Sequence, residues 1–367
     1  MGKVKAASAG PSEPMPSPPE ARPEATGAVD SPGAAMPNIE PHKVVMKPAA
    51  SSGPSGDFNY SVVDGLAQFI DNAPPELDFV WPGFLRGTVG VIVAAGSTGK
   101  SFFALQAAMS IAAGRDLFGL FEGAEIKQGK VAYLALEDTL EVFWTRVHSI
   151  GKWLKKRFSE EQYKEIIASF AHIEIHELYG MGYRPMGQDL KASPHIDVTL
   201  QKLKEQKSEI TPIRLIVIDT YSRFLAGHSE QDNAVASTLV SLVEQICKET
   251  KAGALILHHT NKASNSNEGP AEQAAARGAS ALTDNSRWQA NMKTLSPSQA
   301  QAYGISEADR KLHVFWEATK TNHSAPTAAM LLHRQQGGVL VGVSTPEPIV
   351  VTKAHDKGQG RGKRYEG

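Results

Sequence analysis

The feature that most constrains the fold is the loop at residues 94–101, which reads AAGSTGKS. An apolar run rich in β-branched residues precedes it at 88–93, and a segment of helical composition follows from Phe102. When a buried strand enters a helix through such a loop, backbone N–H groups and the positive end of the helix dipole point at one spot. The order of strand, loop and helix predicts a polyphosphate-binding loop, which indicates a nucleoside triphosphate with Mg²⁺ as the ligands.

The residues of this loop have distinct expected roles. Glycines let the chain wrap the phosphates, Lys100 reaches the β- and γ-phosphates, and Ser101 ligates Mg²⁺. The candidate nucleotide-binding residues are Gly96, Ser97, Thr98, Gly99, Lys100, Ser101 and Phe102. The usual pattern begins with glycine, whereas this chain has Ala94, which is tolerated if that position does not need a positive φ. The alternative interpretation is a glycine-rich turn that contains Lys-Ser by chance.

Composition divides the 367 residues into three parts. Eleven of the 22 prolines lie in residues 1–57, and the first aromatic residue is Phe58. Because such a segment buries too little apolar surface to offset its chain entropy, we expect 1–57 to be a disordered leader. Residues 58–345 are expected to form one α/β domain, and 346–367 a flexible tail in which basic residues outnumber acidic ones.

Overall charge and hydropathy limit the class of protein. The net charge is −1, so a nucleic-acid partner would have to be held by a local basic patch. The first residues lack the apolar core of a secretion signal and no apolar run reaches the length of a membrane span, so we expect a soluble cytoplasmic protein without membrane contacts. The single cysteine, Cys247, lies on an amphipathic helical pattern, which indicates a packed thiol rather than a nucleophile.

Apolar strand-like runs alternate with helical segments after the phosphate loop. Strands are predicted at 130–135, 214–220 and 254–259, and helices at 61–71, 159–169 and 195–207. This alternation implies right-handed crossovers and an α/β fold, with a mostly parallel twisted sheet covered by helices on both faces. Ligands bind beyond the carboxyl ends of such strands, where Glu137, Asp219, His258 and His259 stand. We expect these four residues to converge on the edge that carries the phosphate loop.

Two carboxylates at these strand ends have different expected tasks. Asp219 closes an apolar run and is the candidate to hold Mg²⁺; the alternative is an aspartate that caps the next element. Glu137 ends the strand next to the phosphate-loop strand, where a carboxylate beside the γ-phosphate orients or deprotonates the attacking water. Its neighbour Asp138 is expected to be the N-cap of the following helix.

Histidines and arginines provide further candidates. We expect His259 to contact the nucleotide and to report loss of the γ-phosphate to the polar loop 260–276, and we expect His258 to be buried and structural. Ordinary core histidines are the alternative. Arg277 and Arg287 lie where their own phosphate loop is not obviously within reach. Each arginine either forms a surface ion pair or enters the γ-phosphate site of a neighbouring subunit, where it would act as an arginine finger supplied in trans. The residues alone favour neither interpretation.

Taken in order, these motifs resemble those of the plasmid-encoded hexameric replicative DNA helicase family RepA of IncQ-type plasmids, within the RecA-like superfamily that includes DnaB-type helicases. The resemblance covers residues 65–345, nearly all of the expected folded part. It rests on PELDFV at 75–80, GTVG at 87–90, GKS at 99–101, YLALED at 133–138, IDT at 218–220, LHH at 257–259, ARG at 276–278, DNSRWQ at 284–289 and KTN at 320–322.

The resemblance implies a RecA-like P-loop NTPase motor over residues 58–345, active as a homohexameric ring with ATP and Mg²⁺ at each interface. Four catalytic residues are implied, and two further residues are implied as metal ligands. Lys100 and Ser101 match the phosphate-loop pair, Glu137 the catalytic glutamate, Asp219 the Walker B aspartate and His259 the phosphate-sensing histidine. Arg287 matches the arginine finger offered in trans, which leaves Arg277 as a secondary candidate.

The partners implied by the resemblance are single-stranded DNA, further copies of the chain, and primase or an initiator protein. The loop 260–276 matches the loop that tracks the DNA backbone, with Lys262 as its only basic residue. Two other functions stay open at this level: a RecA-like regulatory or loader ATPase without unwinding, and a non-hydrolysing DNA-binding module. Glu137 and Arg287 argue against the second, because a structural nucleotide site needs neither.

Overall fold

A computed structural model describes residues 66, 69–70, 72–205, 210–259, 280–325 and 327–343. The chain divides at Pro75. Before that point a backbone hydrogen bond of 3.0 Å joins Phe69 N to Leu66 O. The predicted helix at 61–71 lies largely outside the described residues, and the expected leader at 1–57 and tail at 346–367 lie wholly outside them.

The elements of the described part alternate as the sequence predicts. The strands are β1 Phe79–Trp81, β2 Phe84–Leu85, β3 Val89–Ala94, β4 Lys130–Ala135, β5 Ile173–Glu177, β6 Ile213–Asp219, β7 Gly253–His259, β8 Trp288–Thr294, β9 His313–Thr321, β10 Met330–Arg334 and β11 Leu340–Val343. The α-helices are α1 Lys100–Ala113, α2 Leu140–Arg157, α3 Glu160–Ser169, α4 Pro194–Glu205, α5 Tyr221–Phe224, α6 Asn233–Thr250, α7 Ser280–Asn285, α8 Pro297–Ala302 and α9 Glu307–Arg310.

Nine strands form one mixed sheet in the order β11-β10-β9-β8-β3-β7-β6-β4-β5. The six strands from β8 to β5 run parallel, and β9, β10 and β11 continue the sheet with antiparallel pairs. The prediction of a mostly parallel α/β sheet is therefore confirmed. The antiparallel extension has no counterpart among the strands predicted from the sequence, which ended at 259.

The strand order corrects one expectation about the sheet. Glu137 follows β4, which was expected to lie next to the phosphate-loop strand β3. Instead β7 and β6 lie between them. Consecutive strands of a βαβ unit need not be neighbours in the sheet, and here the chain crosses from β3 over two later strands.

Two layers of helices cover the sheet. Helices α1, α2 and α3 pack on one face through residues such as Phe103, Ile150 and Ile166. Helices α4, α5 and α6 pack on the other, where Val235, Leu239, Val243 and Ile246 of α6 are buried. The central parallel strands β3, β4, β6 and β7 are consequently buried on both faces, which explains their largely apolar runs.

Cys247 belongs to the layer formed by α6. Its side chain is fully buried, and its Sγ lies 3.5 Å from the carbonyl oxygen of Thr88. Burial raises the pKa of the thiol to about 12, so the prediction of a packed, unreactive cysteine is confirmed. Within the described ranges, no helix combines the length and the hydropathy that crossing a bilayer requires.

Candidate nucleotide site

The phosphate loop lies between β3 and the first turn of α1 at the carboxyl edge of the sheet. Ser97 and Gly99 adopt left-handed conformations, with φ of 62° and 108°. Gly99 is the N-cap of α1 and has no side chain that could accept a hydrogen bond from the first turn. The first N–H groups of the helix can therefore donate to a ligand. Ala94 ends β3 and is not among the positive-φ residues, which explains why alanine is tolerated where the usual pattern has glycine.

Three predicted site residues meet directly above this loop. The ammonium of Lys100 donates a hydrogen bond to the ring of His259, with its Nζ 3.2 Å from Nδ1 and 2.9 Å from Nε2. The same Nε2 lies 3.6 Å from Oε2 of Glu137. Lys100 is buried, and burial lowers its pKa, while the carboxylates of Asp219 and Glu137 oppose that shift. The structure therefore brings these three residues together at one edge of the sheet.

Glu137 is held as an anion by its surroundings. Contact with His259 is the largest influence and lowers its pKa to about 2, with Thr220 and Lys100 acting in the same direction against partial burial. A carboxylate with such a pKa is ionised throughout the physiological range. Glu137 can therefore orient a water molecule by accepting its proton in a hydrogen bond, although it is a weak base.

Asp219, at the end of β6, is buried beneath the loop with 3% of its surface exposed. The hydroxyl of Tyr133 on the adjacent strand β4 donates a 2.7 Å hydrogen bond to its Oδ2. Its Oδ1 is buried and has no hydrogen-bond partner among the described residues. Burial raises the pKa of Asp219, and Tyr133, Ser101 and Lys100 lower it. A buried carboxylate oxygen near the Ser101 hydroxyl fits the oxygen-rich coordination that Mg²⁺ requires.

His258 and His259 point to opposite faces of the sheet, because successive strand residues alternate. His258 is 3% exposed, and burial lowers its pKa to about 4. Its ring meets that of Tyr221 edge to face, with centroids 5.1 Å apart at 88°. The structure thus places His259 in the site and His258 in the core.

The structure overturns the expectation that Asp138 caps the next helix. The N-cap of α2 is Thr139, and Asp138 instead accepts an ion pair from Arg146 at 2.7 Å. The Arg146 guanidinium also lies over the ring of Phe102, 6.0 Å from its centroid. Asp138 is therefore used to hold Arg146 beside the phosphate loop, and Phe102 packs at the start of α1.

Arg287 is not brought to the pocket of its own chain. It is exposed immediately before β8, and its backbone N donates to the carbonyl of Val89 at 2.8 Å, at the amino end of β3. The phosphate loop follows the carboxyl end of β3, so the length of the strand, about 15 Å, separates the two. Arg277, Lys262 and the loop 260–276 lie outside the described residues.

Sequence reasoning missed two side chains that support the site. Tyr133 was part of a quoted motif but received no role, although its place two residues before the end of β4 puts it on the same face as Ala135, the register partner of Asp219. Arg334 on β10 donates hydrogen bonds to the backbone carbonyls of Ser97 and Thr98. No motif around Arg334 signals this contact, because it depends on the course of the antiparallel extension.

Comparison with solved structures shows the fold. The chain is similar to a solved ATPase domain, with 13% identity over 76% of this chain and 96% of that one and a TM-score of 0.49. It is also similar to a DnaB-like replicative helicase whose structure was described with its interactions with primase, with 14% identity, a TM-score of 0.50, and 76% of this chain and 66% of that one covered. The second likeness shows a RecA-like P-loop ATPase fold.

A family model described as an AAA domain, AAA_25, matches residues 61–265. That range is more than half of the 367 residues and contains the phosphate loop, Glu137, Asp219 and both histidines. The match supports nucleotide binding and ATP hydrolysis as the general activity, and it ends before the antiparallel extension. The chain therefore belongs to the AAA_25 family of AAA domains.

Proposed function

We propose that the protein is an ATP-dependent DNA helicase or translocase that acts as a homohexameric ring on single-stranded DNA, in plasmid or phage-like replication. One observation carries this proposal. Lys100, Glu137, Asp219 and His259 gather at the carboxyl edge of the sheet, while Arg287 stands exposed at the amino edge. An arginine that cannot serve its own pocket is suited to complete the pocket of a neighbour, and repetition of that contact closes a ring.

Each pocket residue has a role in this proposal. Lys100 binds the β- and γ-phosphates, and Ser101 and Asp219 hold Mg²⁺, which when bound neutralises charge on the phosphate oxygens. Glu137 orients the attacking water. In the structure the Lys100 ammonium donates a hydrogen bond to His259. A bound triphosphate would compete for this ammonium, and His259 would then be free to contact the γ-phosphate. Because β7 runs directly from His259 into 260–276, the exchange is placed to affect that loop.

Tyr133 gives a prediction about the metal site. Tyr133→Phe removes the hydroxyl that holds Oδ2 of Asp219, and should raise the Mg²⁺ concentration needed for half-maximal ATP hydrolysis about tenfold. The rate at saturating Mg²⁺ should fall much less. Titration of ATP hydrolysis with Mg²⁺ measures both. Tyr183→Phe is the matched control, since its hydroxyl contacts Thr199 away from the pocket; equal Mg²⁺ titrations for the two variants would contradict the prediction.

Single-stranded DNA and copies of the chain are the proposed partners, with primase or an initiator protein as a further one. The DnaB-like helicase was described with its interactions with primase, and this chain covers 66% of that protein's length. For the present chain, a primase contact is part of the proposal. Grip on DNA would come from six copies of a loop that carries few basic residues, because phosphate contacts add up around a ring.

A regulatory or loader ATPase is the second candidate function. It is favoured by the small basic complement of 260–276, in which Lys262 is the only basic residue. Such a protein would share the pocket but would not need a closed ring.

The test is the rate of ATP hydrolysis with and without single-stranded DNA, read beside the particle mass measured with ATP. We expect DNA to stimulate hydrolysis and the mass to correspond to six chains. Hydrolysis that ignores DNA, in a particle of one or two chains, would favour the loader and contradict the helicase.

A further inference from the structure

The phosphate loop is held from outside by a residue of the antiparallel extension. Nη2 of Arg334 lies 3.0 Å from the carbonyl oxygen of Ser97 and 2.6 Å from that of Thr98. Arg334 is half-buried, and among the described residues no acidic side chain pairs with it. A guanidinium can only donate hydrogen bonds, and these two carbonyls are its acceptors among the described residues.

This contact controls which way the loop peptides face. In a planar trans peptide, the carbonyl and the following N–H point in opposite directions. Binding of the Thr98 carbonyl on the outer side therefore turns the Gly99 N–H toward the inner side, where phosphate is expected. The N–H of Thr98 already donates a hydrogen bond to the carbonyl of Ala95 at 3.3 Å. The peptide whose orientation depends on Arg334 is therefore the next one, between Thr98 and Gly99.

The hairpin of β10 and β11, which carries Arg334, is fixed to α1 and to the segment that follows α1. The Gln106 side chain donates to the Leu340 carbonyl at 2.6 Å and accepts from the Leu340 N–H at 2.9 Å. The Gly342 N–H donates to the Phe118 carbonyl at 2.9 Å. Gly338 packs against the ring of Phe102 so closely that an added Cβ would lie 2.7 Å from it. The hairpin of β10 and β11 is thus a rigid support, and Arg334 reaches the loop in a fixed position.

We propose that Arg334 is a positioning residue that keeps the phosphate loop in its nucleotide-binding conformation. The inference rests on the proposed nucleotide-binding function of the loop. It assigns part of the nucleotide affinity to the C-terminal hairpin, which lies beyond the segment 61–265 that the family model matches. Loss of the guanidinium should weaken nucleotide binding because the loop then spends part of its time with its N–H groups turned away.

Arg334→Gln and Arg334→Lys test the proposal in the full chain. The dissociation constant of MgADP, measured by calorimetry, should rise about tenfold for Arg334→Gln, since hydrogen bonds from a charged donor are lost. Arg334→Lys should recover part of the affinity, because an ammonium still donates to a carbonyl. The turnover rate at saturating ATP should change much less than the dissociation constant. A purely structural role would instead lower the unfolding temperature without this division between binding and turnover.

Arg310→Gln is the matched control, because this arginine of α9 also binds a backbone carbonyl, that of Leu295 at 2.7 Å, which does not belong to the phosphate loop. The Arg310→Gln variant should leave the MgADP affinity unchanged, because Arg310 makes no contact with a carbonyl of the phosphate loop. If Arg334→Gln binds MgADP as tightly as the unaltered protein, the inference is wrong while the proposed function stands. If the unaltered protein itself binds no MgADP, both are wrong. If Arg334→Gln fails to fold, an undiminished affinity in Arg334→Lys at reduced stability also overturns the positioning role.

Discussion

Replacing Glu137 with glutamine is expected to lower the rate of ATP hydrolysis about a thousandfold, within the range that a positioned carboxylate contributes by accepting a hydrogen bond or a proton from the attacking water. Glutamine keeps the shape of the side chain and one acceptor oxygen, but it removes the negative charge. That charge is unusually well defined here, since contact with His259 keeps the pKa of Glu137 at about 2. The loss should therefore appear in turnover, because the attacking water is no longer polarised.

Nucleotide binding should survive the same substitution. The phosphates are expected to be held by Lys100 and the loop N–H groups, and Glu137 is expected to orient the attacking water rather than to bind the phosphates. Calorimetry with MgADP should give a dissociation constant close to that of the unaltered protein, while steady-state hydrolysis collapses. Glu141→Gln, an equivalent change at an exposed position in the first turn of α2, is the control and should do neither. Undiminished turnover in Glu137→Gln would refute the assignment.

The pH dependence supplies an independent check on the same residue. The profile of kcat/KM reports ionisations of the free enzyme. With its pKa at about 2, Glu137 is ionised on both sides of neutrality and loses its charge only as the pH falls toward 2. Any decline of kcat/KM between pH 7 and pH 5 then belongs to another group, and it should persist unchanged in the residual activity of Glu137→Gln.

Local features of the fold and site could be read from the sequence because each depends on neighbours in the chain. The phosphate loop is set by a strand, glycines and a helix within a short segment, and β4, β6 and β7 are buried on both faces and so are continuously apolar. The carboxyl-edge rule then places Glu137, Asp219 and His259 together, since all parallel strands end at that edge. This argument needs no knowledge of the strand order.

Features that depend on distant segments could not be read in this way. That β7 and β6 separate β4 from β3 follows from how the crossovers pack, and no periodicity reports it. Strand β9 alternates buried and partly exposed residues, and β8 carries the buried polar residues Gln289 and Asn291, so both lack the continuous apolar signal of the central strands. The contact of Arg334 with the loop joins residues more than two hundred positions apart.

The error at Asp138 has a specific physical cause. Aspartate is a strong N-cap residue, and a helix does begin shortly after it. In the structure the helix starts one residue later, at Leu140, and the Arg146 guanidinium offers the Asp138 carboxylate a charged partner at 2.7 Å. The N-cap propensity of Asp138 was outweighed by its ion pair with Arg146, which the sequence alone does not indicate.

Arg287→Ala should reduce ATP hydrolysis by the assembled protein about a thousandfold, since an arginine finger contributes at least that much to phosphoryl transfer. The structure leaves this side chain exposed at the far end of β3 from its own loop, so under the proposed function its effect is expected on the pocket of a neighbouring subunit. Binding of MgADP to a single chain should be unchanged. Arg157→Ala, which removes an exposed arginine from the last turn of α2, is the control and should retain activity.

Mixing two inactive variants separates action in trans from action within one chain. Lys100→Ala chains lack a working pocket but keep Arg287, whereas Arg287→Ala chains keep the pocket. In rings formed from equal amounts, about a quarter of the interfaces join an intact pocket to an intact arginine, so hydrolysis should reappear on mixing. If Arg287 acted on the pocket of its own chain, no pocket in the mixture would be complete and hydrolysis would stay absent. If Arg287 were only a surface residue, the Arg287→Ala variant would be active before mixing. Recovery on mixing is therefore the result that only a composite pocket produces.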